Sequence, residues 1–169
     1  QIPEGLEFPE GEINPSCGSL IITGQNYRLS LAEAKWGFAG REGCLVIHAR
    51  AETALTKPMF SASILSRRCI IPAEKFYEWD HEKNKVEFTN PARDVMLLAG
   101  FWYIYENVMR FTVITTAANA SMSPVHDRMP LMIAPDKVRL WLLDNSGFQP
   151  LLRAEMPMLK AGREQEQLR

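Results

Sequence analysis

"DVMLLAGFWYIYENVMRFTVITTAA", residues 94–118, decides the fold. Two long apolar runs flank the polar turn "ENVM" at 106–109. Both runs are rich in the β-branched and aromatic residues that suit a pleated strand. The link is too short for a crossover helix, so the spacing predicts two neighbouring antiparallel strands. Working outward, "GSLIIT" (18–23) and "CLVIHA" (44–49) are short strand candidates. "RCIIPAEKFYEW" (68–79) reads as a strand interrupted at Pro72, and "HEKNK" (81–85) as a polar turn leading into "VEFT" (86–89), together a hairpin.

Helical spacing occurs in two places. In "TKPMFSASILSRR" (56–68), Thr56 is a cap candidate, Pro58 suits a first turn, and Phe60 and Ile64 share a face. Arg67 and Arg68 follow at the end where cations complement the helix dipole. In "APDKVRLWLL" (134–143), Pro135 opens the helix, Val138, Trp141 and Leu142 form its apolar face, and Asn145 and Gly147 stop it. Many strands, few helices and no βαβ alternation predict an α+β fold. A single domain over 1–169, built round mainly antiparallel sheet with a few flanking helices, is expected. Residues 1–12 read as an irregular lead-in, and 155–169 as an exposed tail whose end, "LKAGREQEQLR", is an exposed helix or a disordered terminus.

At 169 residues the chain is long enough to bury roughly 68–70% of its unfolded surface. It contains neither the ~20-residue apolar run of a membrane helix nor a signal-peptide pattern, so no membrane partner is expected. Cys17, Cys44 and Cys69 are an odd, scattered set without CxxC spacing. That argues against a disulfide framework or a zinc site and for a reducing, cytoplasmic setting, with the three read as core thiols. Net charge is −1, but its distribution is uneven. Arg50, Lys57, Arg67, Arg68 and Lys75 face only Glu52 and Glu74 over the stretch 50–75. Such a local basic face fits either a nucleic-acid groove or a solvated surface.

Three clusters carry candidate chemistry. "KFYEWD" (75–80) sets Glu78 among three aromatic residues. On a buried face desolvation would raise its pKa towards the range of a proton donor or acceptor, whereas at a wet strand end it would be an ordinary carboxylate. "VHDRMPL" (125–131) gathers His126, Asp127 and Arg128 in a turn between two apolar segments. It is either a charged turn or a site in which Arg128 grips a phosphate bidentately. "IHARAET" (47–53) places His48, Arg50 and Glu52 on one strand face and Ile47, Ala49 and Ala51 on the other. No HxH or HExxH metal pattern, phosphate loop, dinucleotide fingerprint or GxSxG elbow is present, so no metal and no cofactor is expected.

Taken together, Asn14, "KWGFA", "HARAET", "RCIIPAEKFYEW", "AGFWY", "FTVITTAAN" and "HDRMP", in this order, resemble the SOS response-associated peptidase (SRAP) family of abasic-site processing proteins, over about residues 12–143. The resemblance implies a barrel-like core and a site that captures abasic sites in single-stranded DNA. By that resemblance Glu78 shuttles protons, His126 assists attack on the deoxyribose, and His48 stands where the family has asparagine. Arg50 and Arg128 hold phosphates, Trp36 and Trp79 lie near the DNA, and Asn14, Lys57 and Arg67 complete the DNA-contacting set.

The resemblance further implies a covalent thiazolidine crosslink formed by an N-terminal cysteine exposed on removal of the initiator Met, and self-processing peptidase activity on that Met. The partner expected is abasic single-stranded DNA, bound by a monomer in a bacterial or phage-like DNA-damage response. The sequence departs from the pattern in its start, "QIPEG", which reads as a truncation; in His48; and in Lys75, where a glycine usually precedes "FYEW". A non-catalytic module that binds single-stranded DNA is the alternative, and a hydrolase using Cys69 or Cys44 with His126 is a third reading.

Overall fold

A computed structural model describes residues 10–163. In chain order its strands are Gly18–Gln25 (β1), Arg28–Trp36 (β2), Phe38–Ala39 (β3), Leu45–Val46 (β4), His48–Arg50 (β5), Arg68–Ala73 (β6) and Phe76–Trp79 (β7). Lys85–Thr89 (β8), Met96–Tyr105 (β9), Val108–Ala117 (β10), Arg128–Pro130 (β11) and Lys160–Arg163 (β12) follow. The α-helices are Ser61–Ser66 (α1) and Val138–Leu143 (α2), with short 3-10 turns elsewhere. The predicted α+β class, mostly antiparallel with few helices, is what the chain adopts.

The predicted β9–β10 pair forms a hairpin running from Val108↔Tyr105 to Val113↔Gly100. Its turn is shorter than "ENVM": Glu106 and Asn107 alone turn the chain, both at positive φ (48° and 62°). That left-handed pair matches the twist of the flanking strands. The main sheet runs β11-β10-β2-β1-β6-β9, and the β9–β10 pairing closes the path on itself, giving the barrel-like core. Two pairings are parallel, β10 with β2 and β10 with β5.

Alternation along the strands explains why the decisive stretch is apolar throughout. Leu97, Ala99, Phe101 and Ile114 join a core with Phe38, Phe60, Ile64 and Trp141, under the helices. Met96, Leu98, Phe111 and Val113 join a second core with Ile21, Cys69, Val86 and Phe88, under the separate sheet β12-β8-β7. A strand buried on both faces has no solvent side to mark with polar residues. Gly100 is required by close approach, since a Cβ there would stand 2.5 Å from Thr112 O and 2.8 Å from Ile71 Cδ1.

Several local expectations are corrected. The 68–79 strand breaks at Glu74–Lys75 and not at Pro72, which stays in register opposite Leu97. Proline is tolerated there because β1 pairs with β6 only at Ile70 and Cys69, so Pro72 needs no donor on that side. Lys75 does not strain the turn, because its φ is not positive. "CLVIHA" is split at Ile47, whose carbonyl accepts from both Val113 N–H and the Trp36 indole. The 56–68 helix shrinks to α1; Thr56 and Pro58 lie in a preceding run of turns tied by Lys57 N–H to Thr53 O and Ser61 N–H to Lys57 O. Lys160–Arg163 of the expected helical or disordered tail is an exposed strand on β8, while Leu159 is buried; residues 164–169, like 1–9, lie outside the described residues.

Candidate functional site

β10 is the backbone of the site. Thr115 pairs with Arg50 of β5 on one side and Pro130 of β11 on the other, and Ala117 pairs with Arg128. Pairing puts directly opposed residues on one face of a sheet, so His48, Arg50, Arg128 and Pro130 share a face. β7 of the smaller sheet brings Glu78 to the same place. The result is a cleft of about 320 Å³ lined by Val46, His48, Ala49, Arg50, Lys57, Phe60, Glu78, Thr115, His126 and Arg128 to Pro130. The three sequence clusters, far apart in the chain, thus converge. A wider, shallow depression of about 760 Å³ between Tyr27 and the end of α2 holds neither an imidazole nor a half-buried carboxylate, so the chemistry lies in the smaller cleft.

Glu78 is half-buried, and that burial raises its pKa above the usual carboxylate range; attraction to His126 and a hydrogen bond from Trp79 N–H oppose the shift. The β7–β8 hairpin that carries it is fixed by Asp80, whose Oδ1 accepts from Glu82 N–H (2.9 Å) and Asn84 N–H (2.8 Å). His48 has surface open to the cleft but little bulk water around it. That desolvation, with the nearby His126 second, lowers its pKa below the ordinary imidazole value. Its accessible area therefore reports the cleft and not free solvent. Burial thus favours the neutral forms of both groups, as proton exchange near neutrality needs.

His126 is held through one ring nitrogen. Nδ1 lies 3.0 Å from Arg128 N and 3.1 Å from Arg128 O. With Nδ1 bare the ring accepts from the N–H, and with Nδ1 protonated it donates to the carbonyl, the neutral Nδ1–H tautomer leaving Nε2 able to accept a proton. In both states Nδ1 is occupied by backbone and Nε2 is left for chemistry.

The arginines divide by role. Arg50 lines the cleft and its guanidinium makes no hydrogen bond among the described residues, and Lys57 beside it is exposed. Arg128, expected to grip a phosphate, donates bidentately to Glu52 at 3.0 and 2.8 Å and to Thr115 O at 2.8 Å. The bound Arg128 in turn lowers the pKa of Glu52. Arg67 does not line the cleft: its guanidinium donates to Trp102 O and Ser63 Oγ. Arg68 is buried and caps α1 by donating to Ile64 O and Leu65 O, the C-terminal role expected for it.

Trp36 is half-buried, stacks on Phe111 and stands 6.1 Å from the His48 ring, so it backs the imidazole more than it faces solvent. Trp79 is 51% exposed at the end of β7. Asn14 is exposed outside the cleft, with its carbonyl accepting from Cys17 N–H. The cysteine expectation is corrected in part. Cys69 is buried in the core and its thiol pKa is pushed far up, but Cys17 and Cys44 are exposed and no cysteine lines the cleft. Phe60, Val46 and Thr115 are cleft residues that sequence reasoning missed, because apolar and hydroxyl residues carry no motif of their own.

Fold and site together define an α+β domain with an acid–base cleft of one carboxylate and two imidazoles beside the cationic side chains of Arg50 and Lys57. Residues 6–165 match the SOS response associated peptidase (SRAP) family, and the chain belongs to it. It is 35% identical to abasic site processing protein YoaM of Bacillus subtilis, over 80% of this chain and 69% of that one. It is 28% identical to abasic site processing protein YedK of Escherichia coli, over 79% and 65% respectively. A Bordetella bronchiseptica protein of known crystal structure shares the fold with a TM-score of 0.81 at 22% identity, covering 95% of this chain and 89% of its own.

Proposed function

We propose that this protein processes abasic sites in single-stranded DNA by covalent capture. The observation that carries the reading is the convergence of Glu78, His48 and His126 with Arg50 and Lys57 on one cleft, in a family whose relatives are named for abasic site processing. An abasic deoxyribose opens to an aldehyde at C1′. The amine of a cysteine with a free α-nitrogen adds to that carbon, and the resulting hydroxyl leaves as water after taking a proton. Glu78, whose pKa burial raises, is the donor. The thiol sulfur then adds to the imine carbon and its proton passes to the nitrogen, closing a thiazolidine. One C–N and one C–S bond form, one water is lost, and no redox partner is needed. His126 Nε2 and His48 relay the amine and thiol protons. Cys17, Cys44 and Cys69 have their nitrogens in peptide bonds and do not supply such an amine.

Arg50 and Lys57 hold the phosphates flanking the lesion, and Trp79 offers an exposed ring for stacking a base. The same acid–base groups serve hydrolysis of the peptide bond that joins an initiator Met to the reactive cysteine. The test is the intact mass of protein expressed from its native start codon, alone and after incubation with an oligonucleotide bearing one abasic site. An adduct of protein plus DNA minus one water supports the reading. Salt-sensitive binding to intact and abasic strands alike, with no adduct despite a confirmed N-terminal cysteine, identifies a DNA-binding module without covalent chemistry.

A further inference from the structure

We infer that Glu52 is a positioning residue for His126, acting through Arg128. The inference rests on the abasic-site reading for its kinetic consequence, but its structural content stands apart from that reading. Three observations carry it. First, among the described residues the His126 ring is hydrogen-bonded through Nδ1, to the backbone N–H and C=O of Arg128 at 3.0 and 3.1 Å. Whatever fixes the Arg128 peptide therefore fixes where Nε2 points.

Secondly, Arg128 is the first residue of β11, a strand of three residues, and beyond its pairing with Ala117 one more backbone bond, Ala118 N–H to Asp127 O at 2.9 Å, holds the chain before it leaves the sheet. Strand ends fray when nothing else ties them down. Thirdly, the Arg128 side chain adds four hydrogen bonds to that one backbone tie. It donates to both carboxylate oxygens of Glu52, just beyond β5, and to Thr115 of β10, through Nη2 to the carbonyl at 2.8 Å and Nε to the hydroxyl at 3.3 Å. Glu52 and Thr115 thus lock the end of β11 to its neighbours. The Arg128 side chain is 18% exposed, while that of Glu52 is 52% exposed.

An exposed pair of this kind adds little to global stability. Its role is geometric: a small displacement of a proton-transfer group costs rate far out of proportion to the stability lost. With both oxygens of Glu52 committed, the guanidinium acts as a strut in this structure, and phosphate holding falls to Arg50 and Lys57.

The experiment compares wild type, Glu52→Gln and Glu52→Ala, all from the native start codon. Single-turnover adduct formation at saturating abasic oligonucleotide, DNA affinity, and the His126 tautomer read by imidazole 15N NMR are followed together. In Glu52→Ala the rate at saturation falls about tenfold, the affinity does not weaken, and the His126 resonances move from one dominant tautomer towards an averaged pair. Glu52→Gln, which keeps one acceptor for the guanidinium, recovers part of both effects. An unchanged His126 tautomer with an unchanged rate overturns the inference, as does a loss confined to affinity. Tighter DNA binding with an unchanged rate overturns it in favour of Glu52 as a competitor for phosphate. If wild type forms no adduct, the abasic-site reading fails, and the NMR comparison alone decides for or against the Glu52–Arg128–His126 linkage.

Discussion

Replacing Arg68 by Met would separate a fold-holding cation from a DNA-holding one. The side chain is 2% exposed, and its guanidinium lies 3.9 Å from the centroid of the Phe148 ring. It donates to Trp141 O, Ile64 O and Leu65 O, and through Nη2 to Asp144 O and Asn145 Oδ1. Leu65, Asp144 and Asn145 are exposed, so water can replace the arginine at their oxygens. Trp141 and Ile64 are 0% exposed, which leaves two buried carbonyls without a partner. At about 1–3 kcal/mol for each unsatisfied group the loss is about 2–6 kcal/mol. Relief of the buried charge, whose pKa is lowered to about 10 by desolvation, offsets part of it. A net loss of about 3 kcal/mol lowers Tm by roughly 6–12 °C for a chain of this size. The assay is a far-UV circular dichroism melt, paired with DNA binding well below the transition. A Tm within about 2 °C of wild type, or a folded variant that loses DNA affinity, would refute the reasoning.

Other predictions bear on the cleft. Glu78→Gln keeps the volume and slows adduct formation by ~10²–10⁴. Because the native pKa of Glu78 is raised, the folded state binds more protons than the unfolded between the two values, so wild-type stability falls as pH rises through them. Glu78→Gln is therefore the more stable protein at neutral pH and equal to wild type in acid, and melts at several pH values check this. His48→Asn has the opposite sign. The native pKa of His48 is lowered, so wild type loses stability as pH falls below about 6.5 while the variant does not. Arg50→Ala and Lys57→Ala each weaken binding to intact and abasic strands alike and reduce the logarithmic salt slope by about 0.7; titrations at several salt concentrations decide.

The residue types and their spacing determined the strand-rich α+β class, the β9–β10 and β7–β8 hairpins, the two helical segments and the shared face of His48 and Arg50, whereas Glu52, expected on that strand face, lies in the turn beyond β5. These depend on local periodicity and turn chemistry, which a linear chain displays in full. The family's motifs, read in order, also named Glu78, His48, His126 and Arg50, and all four line the cleft. Tertiary structure decided the rest. The β1–β6 and β6–β9 pairings that complete the ring and the parallel pairings of β10 are long-range contacts between strands that look alike in sequence. Arg50, Arg67, Arg68 and Arg128 are chemically identical as letters. Whether an arginine faces an open cleft, a carboxylate or a helix end depends on which acceptors the fold brings within about 3 Å, the reach of a hydrogen bond. Only the folded chain sets Glu52 against Arg128, turns Arg50 into the cleft and encloses Arg68, because that partition is made by strand pairing across dozens of residues.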